Sequence, residues 1–293
     1  MRISKEHKIL IVGLGLIGGS YAQGLSRKGY QVGAIDISQA SIDFALTNKY
    51  ISSGQVEVNK DYISNFDIIV FALYPSKMIE WIEQYQSLIK ENAILTDVSG
   101  VKGSNVYKIQ SILRSDLEFI AAHPMAGREV CGVENANANI FKGANYIVVP
   151  TENNSDDAVE LCKSIGEELE FKNISTLSVE EHDEMIGFLS QLTHCIAVTL
   201  MTSKKSEHLA EYTGDSFRDL TRIAKINENM WCELFLSNKD ELIKQMEAFE
   251  KEFDKLKTAI KEDDEQTIKE MMVTSTQRRK IFDKWGKRYE HEI

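Results

Sequence analysis

Only three prolines and four cysteines occur in this 293-residue sequence, and it contains no long apolar run. No uninterrupted apolar stretch approaches the ~18 residues of a membrane span and no signal peptide is evident, so we expect a soluble, cytoplasmic protein. The cysteines are scattered without CxxC or zinc-site spacing, which is typical of free thiols in a reducing compartment. We therefore expect no metal site and no disulfide framework.

Positive charge is also in short supply. The 34 Lys and Arg are outnumbered by 45 Asp and Glu, which gives a net charge of −11. Such a chain is not expected to bind nucleic acid or a membrane surface, although a basic pocket can still bind an anionic small molecule. With 43% hydrophobic residues, the chain can bury a sizeable core and is long enough for two domains.

The pattern of apolar residues changes near residue 175. Before it, short β-branched runs such as IIVFAL alternate with helical patterns, which predicts a doubly wound α/β domain over residues 1–175. After about residue 178 the β pattern stops, and all three prolines precede residue 151. We therefore predict an all-α domain over residues 176–293. The strands are expected at Lys8–Val12, Gln31–Asp36, Asp67–Leu73, Ala93–Asp97, Glu118–Ala122, Tyr146–Val149 and Phe171–Ser175.

A glycine motif, GLGLIG at residues 13–18, follows the first strand and opens a helix. In a βαβ unit such glycines allow a tight turn, close approach to a pyrophosphate and close helix–strand packing. Asp36 ends the second strand, where a carboxylate can hold ribose hydroxyls, and neither Ile37 nor Ser38 supplies a cation for a 2′-phosphate. The sequence thus predicts a Rossmann-type site that prefers NAD to NADP, formed by Gly13, Gly15, Leu16, Ile17, Gly18 and Asp36.

Candidate chemistry follows the strands, because ligands of open α/β sheets bind at the carboxyl ends of the strands. His123, in the sequence HPMAG, is placed just past a strand, where an imidazole can take a proton from an alcohol. In the helical part, Arg218 and Arg222 are spaced to share a helix face and can grip a carboxylate. From position alone, His123 is equally well explained as a histidine that caps the loop by hydrogen bonds. Arg218 and Arg222 are equally well explained as solvated or ion-paired arginines, and His194 is better explained as a core histidine.

Taken together, the motifs resemble the prephenate/arogenate dehydrogenase family of tyrosine biosynthesis. The resemblance covers nearly the whole chain. It rests on GLGLIGGS, DVSGVKG, HPMAGRE followed by GVE, a helix ending SQLTH, and FRDLTRIA followed by Met230-Trp231. HPMAG and FRDLTRIA in this order after a dinucleotide fingerprint are far more specific than any one motif.

This resemblance implies a reaction and a set of site residues. The reaction is NAD-dependent oxidative decarboxylation of prephenate or arogenate, with His123 as the catalytic histidine that hydrogen-bonds the ring hydroxyl. Arg222 matches the arginine that holds a substrate carboxylate. The family positions that line or support the substrate pocket correspond in this chain to His194, Arg218, Glu129 and Trp231. Arg218 stands where the family frequently has lysine, and the charge is kept.

One departure from the family pattern concerns a pocket serine. The family usually has it three residues after the aspartate of DxxS, where this chain has Gly100, with Ser99 one place earlier. We keep Ser99 as the catalytic candidate, although a serine in that register can point elsewhere.

Two other classes of protein and one question of assembly stay open at this stage. A β-hydroxyacid dehydrogenase would place a catalytic lysine in its first interdomain helix, and no lysine occurs between Val179 and Met201. A redox-sensing NAD-binding regulator would carry a basic helix-turn-helix, which this acidic chain does not show. Apolar residues over 242–260 recur with 4-3-4-3-4 spacing and so form one stripe along a helix, which we call the apolar seam. This seam and the family resemblance suggest a homodimer through the helical domain. The alternative is that the seam packs within one chain.

Overall fold

The computed structural model describes residues 1–205 and 207–286, so the last residues of the predicted helical domain, 287–293, lie outside the described residues. A sheet forms from eight strands in the order β3-β2-β1-β4-β5-β6-β7-β8. All neighbouring strands run parallel except β6 and β7. The strands are β1 Lys8–Val12, β2 Gln31–Ile35, β3 Ser53–Gln55, β4 Ile68–Phe71, β5 Ile94–Asp97, β6 Glu118–Met125, β7 Asn145–Val149 and β8 Asn173–Thr176.

Helices cover both faces of this sheet, which confirms the predicted doubly wound α/β class. They alternate with the strands as α1 Leu16–Arg27, α2 Gln39–Thr47, α3 Lys60–Ile63, α4 Pro75–Tyr85, α5 Gly103–Ile112 and α6 Asp156–Glu168. The apolar side chains divide into two clusters, one on each face. The first gathers Ile9, Ile11 and Tyr21 with their neighbours, and the second gathers Leu10 and Phe71 with theirs. Alternate residues of β1 thus face opposite clusters, as the pleat of a strand requires.

Beyond β8 the described chain is helical, as predicted. A continuous helix comprises α7 Val179–Ile186, a π-helical segment Gly187–Leu192 and α8 Thr193–Thr202. After it come α9 Leu209–Tyr212, α10 Asp215–Thr221, a 3₁₀ turn Arg222–Ala224, α11 Glu228–Ser237, α12 Lys239–Lys261 and α13 Glu265–Gly286.

By packing, the chain divides into two compact units, one of residues 1–241 and one from residue 242 onward. The helices from α7 to α11 belong to the unit that contains the sheet. The division by packing therefore differs from the boundary at residue 175, which we predict as the boundary between the cofactor and substrate-binding parts. That boundary stays a prediction.

The helix Val179–Thr202 is long and apolar enough to cross a membrane by length and composition alone. It contains no unbroken apolar run of that length, because charged residues occur within its first two turns. Of these residues, His182 (0% exposed) and Asp183 (5% exposed) are buried and hydrogen-bonded, whereas Glu180, Glu181 and Glu184 are exposed. Core helices of soluble proteins can have the same length and composition, and 28% of the most apolar 18-residue window of this helix is buried.

Candidate active site

The three glycines of the GLGLIG loop have different surroundings. Gly13 has φ of +98°, and a Cβ there would lie 2.5 Å from the carbonyl oxygen of Ala72. A Cβ on Gly18 would lie 2.0 Å from the carbonyl oxygen of Gly13. A Cβ on Gly15 would meet no atom within 4 Å. Gly13 and Gly18 thus allow the turn and the packing, whereas Gly15 borders open space in which a pyrophosphate fits.

The N-terminus of α1 faces the same space. Gly15 is its capping residue, and no side chain caps the helix. Its first N–H groups and the positive end of its dipole therefore suit an anionic group. Leu16 is buried and Ile17 is partly exposed, so both would contact a dinucleotide chiefly through their backbone N–H groups.

Asp36 stands beside this loop. Its Oδ2 accepts a 2.6 Å hydrogen bond from the N–H of Leu14, and its Oδ1 accepts one of 2.8 Å from the N–H of Ser38. The carboxylate is thereby fixed next to the glycines while remaining partly exposed. It can accept hydrogen bonds from ribose hydroxyls and would repel a 2′-phosphate. The residues present thus fit NAD.

His123 lies within β6. The antiparallel pairing of His123 with Ile147, and of Met125 with Asn145, extends this strand to Met125. The predicted strand end at Ala122 was therefore wrong, because the partner strand β7 was not foreseen to run antiparallel. The pairing of β6 with the parallel strand β5 nevertheless ends at Ile120, so His123 lies at the carboxyl edge of the parallel sheet.

The imidazole of His123 is held in its neutral form. Burial lowers the pKa of His123 well below its usual range, and the neighbouring His182 and Lys102 lower it further. A ring that is neutral at pH 7 can accept a proton. Its Nδ1 lies 2.9 Å from Nε2 of His182.

A buried ion pair fixes the strand ends beside His123. The ammonium of Lys102 donates to both carboxylate oxygens of Asp97, at 2.9 and 2.7 Å, and to the carbonyl of Ala122 at 2.6 Å. The N–H of Ala122 in turn donates to Asp97 at 3.1 Å. Neither charged side chain is more than 2% exposed. Both backbone groups of the residue preceding His123 are thus anchored.

The predicted residues of the substrate pocket gather at a second place. Arg222 forms an ion pair with Glu129. The ring of His194 stacks on Trp231, with centroids 3.6 Å apart and planes inclined by 29°. Burial lowers the pKa of His194, and the charges of Glu129 and Arg222 act on the same ring in opposite directions. These four side chains therefore form one cluster, which we call the Arg222 cluster.

Helix α11 connects this cluster with the surroundings of His123. Trp231 and Leu234 lie three residues apart and so share a face of the helix. Trp231 contacts His194, while a Cβ at Gly100 would lie 3.7 Å from Leu234 and 3.8 Å from Cε1 and Nε2 of His123. The Nε2 side of His123 and the Arg222 cluster thus border neighbouring parts of one site.

Two family models match the chain. The model described as prephenate dehydrogenase, nucleotide-binding domain, matches residues 21–174. The model described as prephenate dehydrogenase, dimerization domain, matches residues 178–274. The chain belongs to the prephenate dehydrogenase family. This membership decides against the β-hydroxyacid type and the redox-sensing regulator.

Individual members of the family are similar over most of the chain. Prephenate dehydrogenase of Bacillus subtilis is 30% identical over 269 residues, which are 89% of this chain and 72% of that protein. The crystal structure of prephenate dehydrogenase from A. aeolicus with hydroxyphenyl propionate and NAD⁺ is 31% identical, with a TM-score of 0.86, and the match covers 94% of this chain and 98% of that one. Synechocystis arogenate dehydrogenase, 23% identical with a TM-score of 0.81 and coverage of 94% and 99%, shares the fold.

Two of the predicted site residues, Ser99 and Arg218, bind protein groups outside the Arg222 cluster. Ser99 is 6% exposed, and its hydroxyl is bonded to Asp97 and lies 3.0 Å from the carbonyl of Val101. The hydroxyl therefore belongs to the buried ion-pair network, while the neighbouring Gly100 faces His123. A direct catalytic role of Ser99 stays a prediction, and this geometry gives it no support.

Arg218 is the other case. Its guanidinium pairs with Asp215 of the same helix and donates to the carbonyl of Thr213 at 3.4 Å. Arg222, which caps α10 and opens a 3₁₀ turn, pairs with Glu129 instead, so the two guanidiniums have different partners. A substrate-binding role for Arg218 stays a prediction.

Sequence reasoning assigned no role to four polar residues in or near the site. Lys102 occurs in DVSGVKG, where a lysine flanked by Val101 and Gly103 gives no sign of burial. His182 and Asp183 lie at the start of a helix, where acidic residues are common. Gln191 of the π-helical segment donates to the carbonyl of Leu234 at 2.8 Å and fixes α11. Such π segments are frequent at functional sites, but no sequence pattern marks this one.

Proposed function

We propose that the chain catalyses the NAD-dependent oxidative decarboxylation of prephenate to 4-hydroxyphenylpyruvate, or of arogenate to tyrosine. Family membership supports the reaction class. The observation that carries the assignment of roles is the position of a neutral His123 next to the Arg222 cluster, at the edge of the sheet that holds the glycine loop. A base and a carboxylate-binding cation are what a cyclohexadienol with a ring carboxylate requires.

In this proposal His123 is the general base. Its Nε2 accepts the proton of the ring hydroxyl while the hydrogen at the same ring carbon leaves as hydride. Bound NAD⁺ supplies the hydride acceptor. The ring carboxylate then leaves as CO₂, its bonding electron pair enters the ring, and the aromatic product takes up a proton at the oxygen. Aromatisation makes the overall change favourable.

Arg222 is proposed to hold a substrate carboxylate, most simply that on the ring. The guanidinium is 66% exposed, and its present partner Glu129 is 39% exposed. An ion pair this exposed contributes little free energy, roughly 0–1 kcal/mol, so a substrate carboxylate can replace Glu129 at small cost. The stacked rings of His194 and Trp231 lie in the same cluster as this guanidinium, and they offer an aromatic surface with a polar imidazole edge.

A spectrophotometric assay tests the proposed function. Purified protein is mixed with NAD⁺ and, separately, prephenate, arogenate and a 3-hydroxy acid, and absorbance at 340 nm is followed. We expect turnover with prephenate, arogenate or both, no turnover with the 3-hydroxy acid, and much weaker turnover when NADP⁺ replaces NAD⁺. Turnover with the 3-hydroxy acid alone would refute the proposal.

We also propose that the protein is a homodimer through its helical part. On α12, Phe253 is 58% and Ile260 59% exposed, so these positions of the apolar seam are not covered within the described chain. On α13, Met272 is 62% exposed. Large apolar side chains at this exposure are typical of a surface that packs against a partner. The match of residues 178–274 to a dimerization domain supports the same assembly.

A cytoplasmic location is the last part of the proposal. Its support is chemical: the four cysteines are unpaired in the structure, and Cys131 and Cys232 are exposed. Exposed free thiols persist in a reducing compartment.

A further inference from the structure

Behind His123 lie two hydrogen-bonded side chains, His182 and Asp183, for which the proposed mechanism has no use. Nδ1 of His123 is 2.9 Å from Nε2 of His182, and Nδ1 of His182 is 2.7 Å from Oδ1 of Asp183. His182 is 0% exposed and Asp183 5% exposed. Both lie on the side of His123 opposite Gly100, so neither is placed to touch substrate.

In the series His123–His182–Asp183, the direction of each hydrogen bond follows from the carboxylate of Asp183 at its end. The carboxylate of Asp183 accepts the backbone N–H of Lys102 at 2.9 Å on Oδ1 and that of Gly103 at 2.6 Å on Oδ2. Both oxygens of Asp183 thus already act as acceptors, so the hydrogen of its contact with His182 comes from the ring, and Nδ1 of His182 carries a proton and donates. Burial lowers the pKa of His182, although the hydrogen bond to Asp183 opposes this, so the ring is neutral and its Nε2 is an acceptor.

The proton between the two rings must then come from His123. Nδ1 of His123 carries a hydrogen and donates it to Nε2 of His182. The Nε2 of His123, on the side of Gly100, is left with a free lone pair. We propose that His182 and Asp183 are positioning residues that fix His123 in the Nδ1–H tautomer and so direct its basic nitrogen toward substrate. This inference rests on His123 being the base in the proposed function.

His182 and Asp183 also stabilise the state that follows proton transfer to His123. Once Nε2 of His123 has accepted a proton, the ring is a cation in a buried place, which is costly without a partner. The acceptor nitrogen of His182 faces that cation, and the negative charge of Asp183 lies directly behind His182. The imidazolium thus remains hydrogen-bonded on its inner side, as in triads where a carboxylate orients a catalytic histidine.

Three hydrogen bonds from outside helix α7 hold Asp183 in place. The N–H groups that it accepts belong to Lys102, the capping residue of α5, and to Gly103, its first residue. A Cβ on Gly103 would lie 2.9 Å from Oδ2 of Asp183, so this approach depends on glycine. The side chain of Asn238 donates to the carbonyl of Asp183 at 2.9 Å. The loop after β5 and the helix α7 are thereby locked together behind the base.

The first test needs no substrate. In protein labelled with ¹⁵N-histidine, two-bond ¹H–¹⁵N correlation spectra at pH 7.5 distinguish protonated from unprotonated ring nitrogens. His123→Asn identifies the resonances of His123 by their loss. We expect protonated Nδ1 and unprotonated Nε2 in His123, with protonated Nδ1 in His182. Finding the Nε2–H tautomer in His123 would overturn the inference, whatever the enzyme's activity.

Kinetics of matched variants form the second test. His182→Leu removes the acceptor, whereas His182→Gln supplies an amide oxygen near the position of Nε2. We expect His182→Leu to lower kcat by about 10²-fold with KM changed less than about threefold, and to shift His123 to the Nε2–H tautomer. His182→Gln should recover most of kcat and the Nδ1–H tautomer. His208→Leu, at an exposed histidine paired with Glu211, should change neither.

The outcomes separate this inference from the proposed function. Equal kcat in His182→Leu and wild type would overturn the positioning role even if the enzyme turns over prephenate as proposed. An unaltered tautomer in a folded His182→Leu would do the same. Should wild type fail to oxidise prephenate and arogenate, the proposed function is refuted, while the tautomer of His123 is still decided by the spectra.

Discussion

At the scale of single residues, Gly100 stands where the family resemblance leads us to expect a pocket serine. A side chain there would fit, because a Cβ would be 3.7 Å from Leu234 and 3.8 Å from His123, which is ordinary van der Waals contact. The hydroxyl of Ser99, one place earlier, is bound within the Asp97–Lys102 network. In the proposed mechanism, the substrate hydroxyl is bound by His123 without direct help from a serine.

Gly100→Ser should restore that help. A serine hydroxyl at this position is expected to add one hydrogen bond near Nε2 of His123 and to lower KM for prephenate roughly 2- to 10-fold, the effect of a neutral hydrogen bond. Gly100→Ala is the matched control, since it adds the same Cβ without the hydroxyl, and should leave KM unchanged. An equal gain in both variants would show that the hydroxyl has no part in the effect.

Arg222 is the second residue whose role can be isolated. Because the guanidinium is expected to hold a substrate carboxylate, Arg222→Gln should raise KM for prephenate by about 10- to 100-fold, with a smaller effect on kcat. Arg218→Gln is the comparison, because Arg218 pairs with Asp215 instead. An unchanged KM in Arg222→Gln would remove Arg222 from the substrate site, and equal losses in both variants would point to a general loss of positive charge.

At the scale of elements, the β1–α1 turn shows why part of the site can be read from sequence. Its glycines act over a few residues, and the structure gives each a separate steric surrounding. Gly15→Ala adds a methyl group to open space and should raise KM for NAD⁺ at least about tenfold while leaving the thermal unfolding midpoint nearly unchanged. Gly18→Ala, whose Cβ would lie 2.0 Å from Gly13, should instead lower the midpoint sharply. A reversal of these effects would contradict the assignment of the open space to the cofactor.

Strand β6 shows where sequence reasoning fails. Its apolar run predicted the strand, but its last three residues depend on pairing with β7 in the antiparallel direction, which no local pattern reveals. The same holds for His182, since its contact with His123 joins residues 59 positions apart. Elements with strong local periodicity and motifs with a local mechanism were predictable, whereas contacts made by tertiary packing were not.

At the scale of the whole molecule, the open question is what covers the apolar residues of α12. Phe253→Glu places a charge on the exposed part of the seam, in the compact unit that follows residue 241. If this surface is the dimer interface, light scattering at micromolar concentration should give the mass of two chains for wild type and a shift toward one chain for the variant. Lys257→Glu, a charge change next to it, is the control. A wild-type mass of one chain would contradict the dimer.

The central claim is that His123 is the base in a dehydrogenation carried out at the edge of the Rossmann sheet. Asparagine has a similar shape to part of the imidazole and hydrogen-bonds, but it cannot take up the proton. The steady-state rate of NADH formation from prephenate by His123→Asn, measured at 340 nm, tests the claim most directly. We predict a fall in kcat of about 10²- to 10⁴-fold with little change in KM. A kcat near that of wild type would contradict the account.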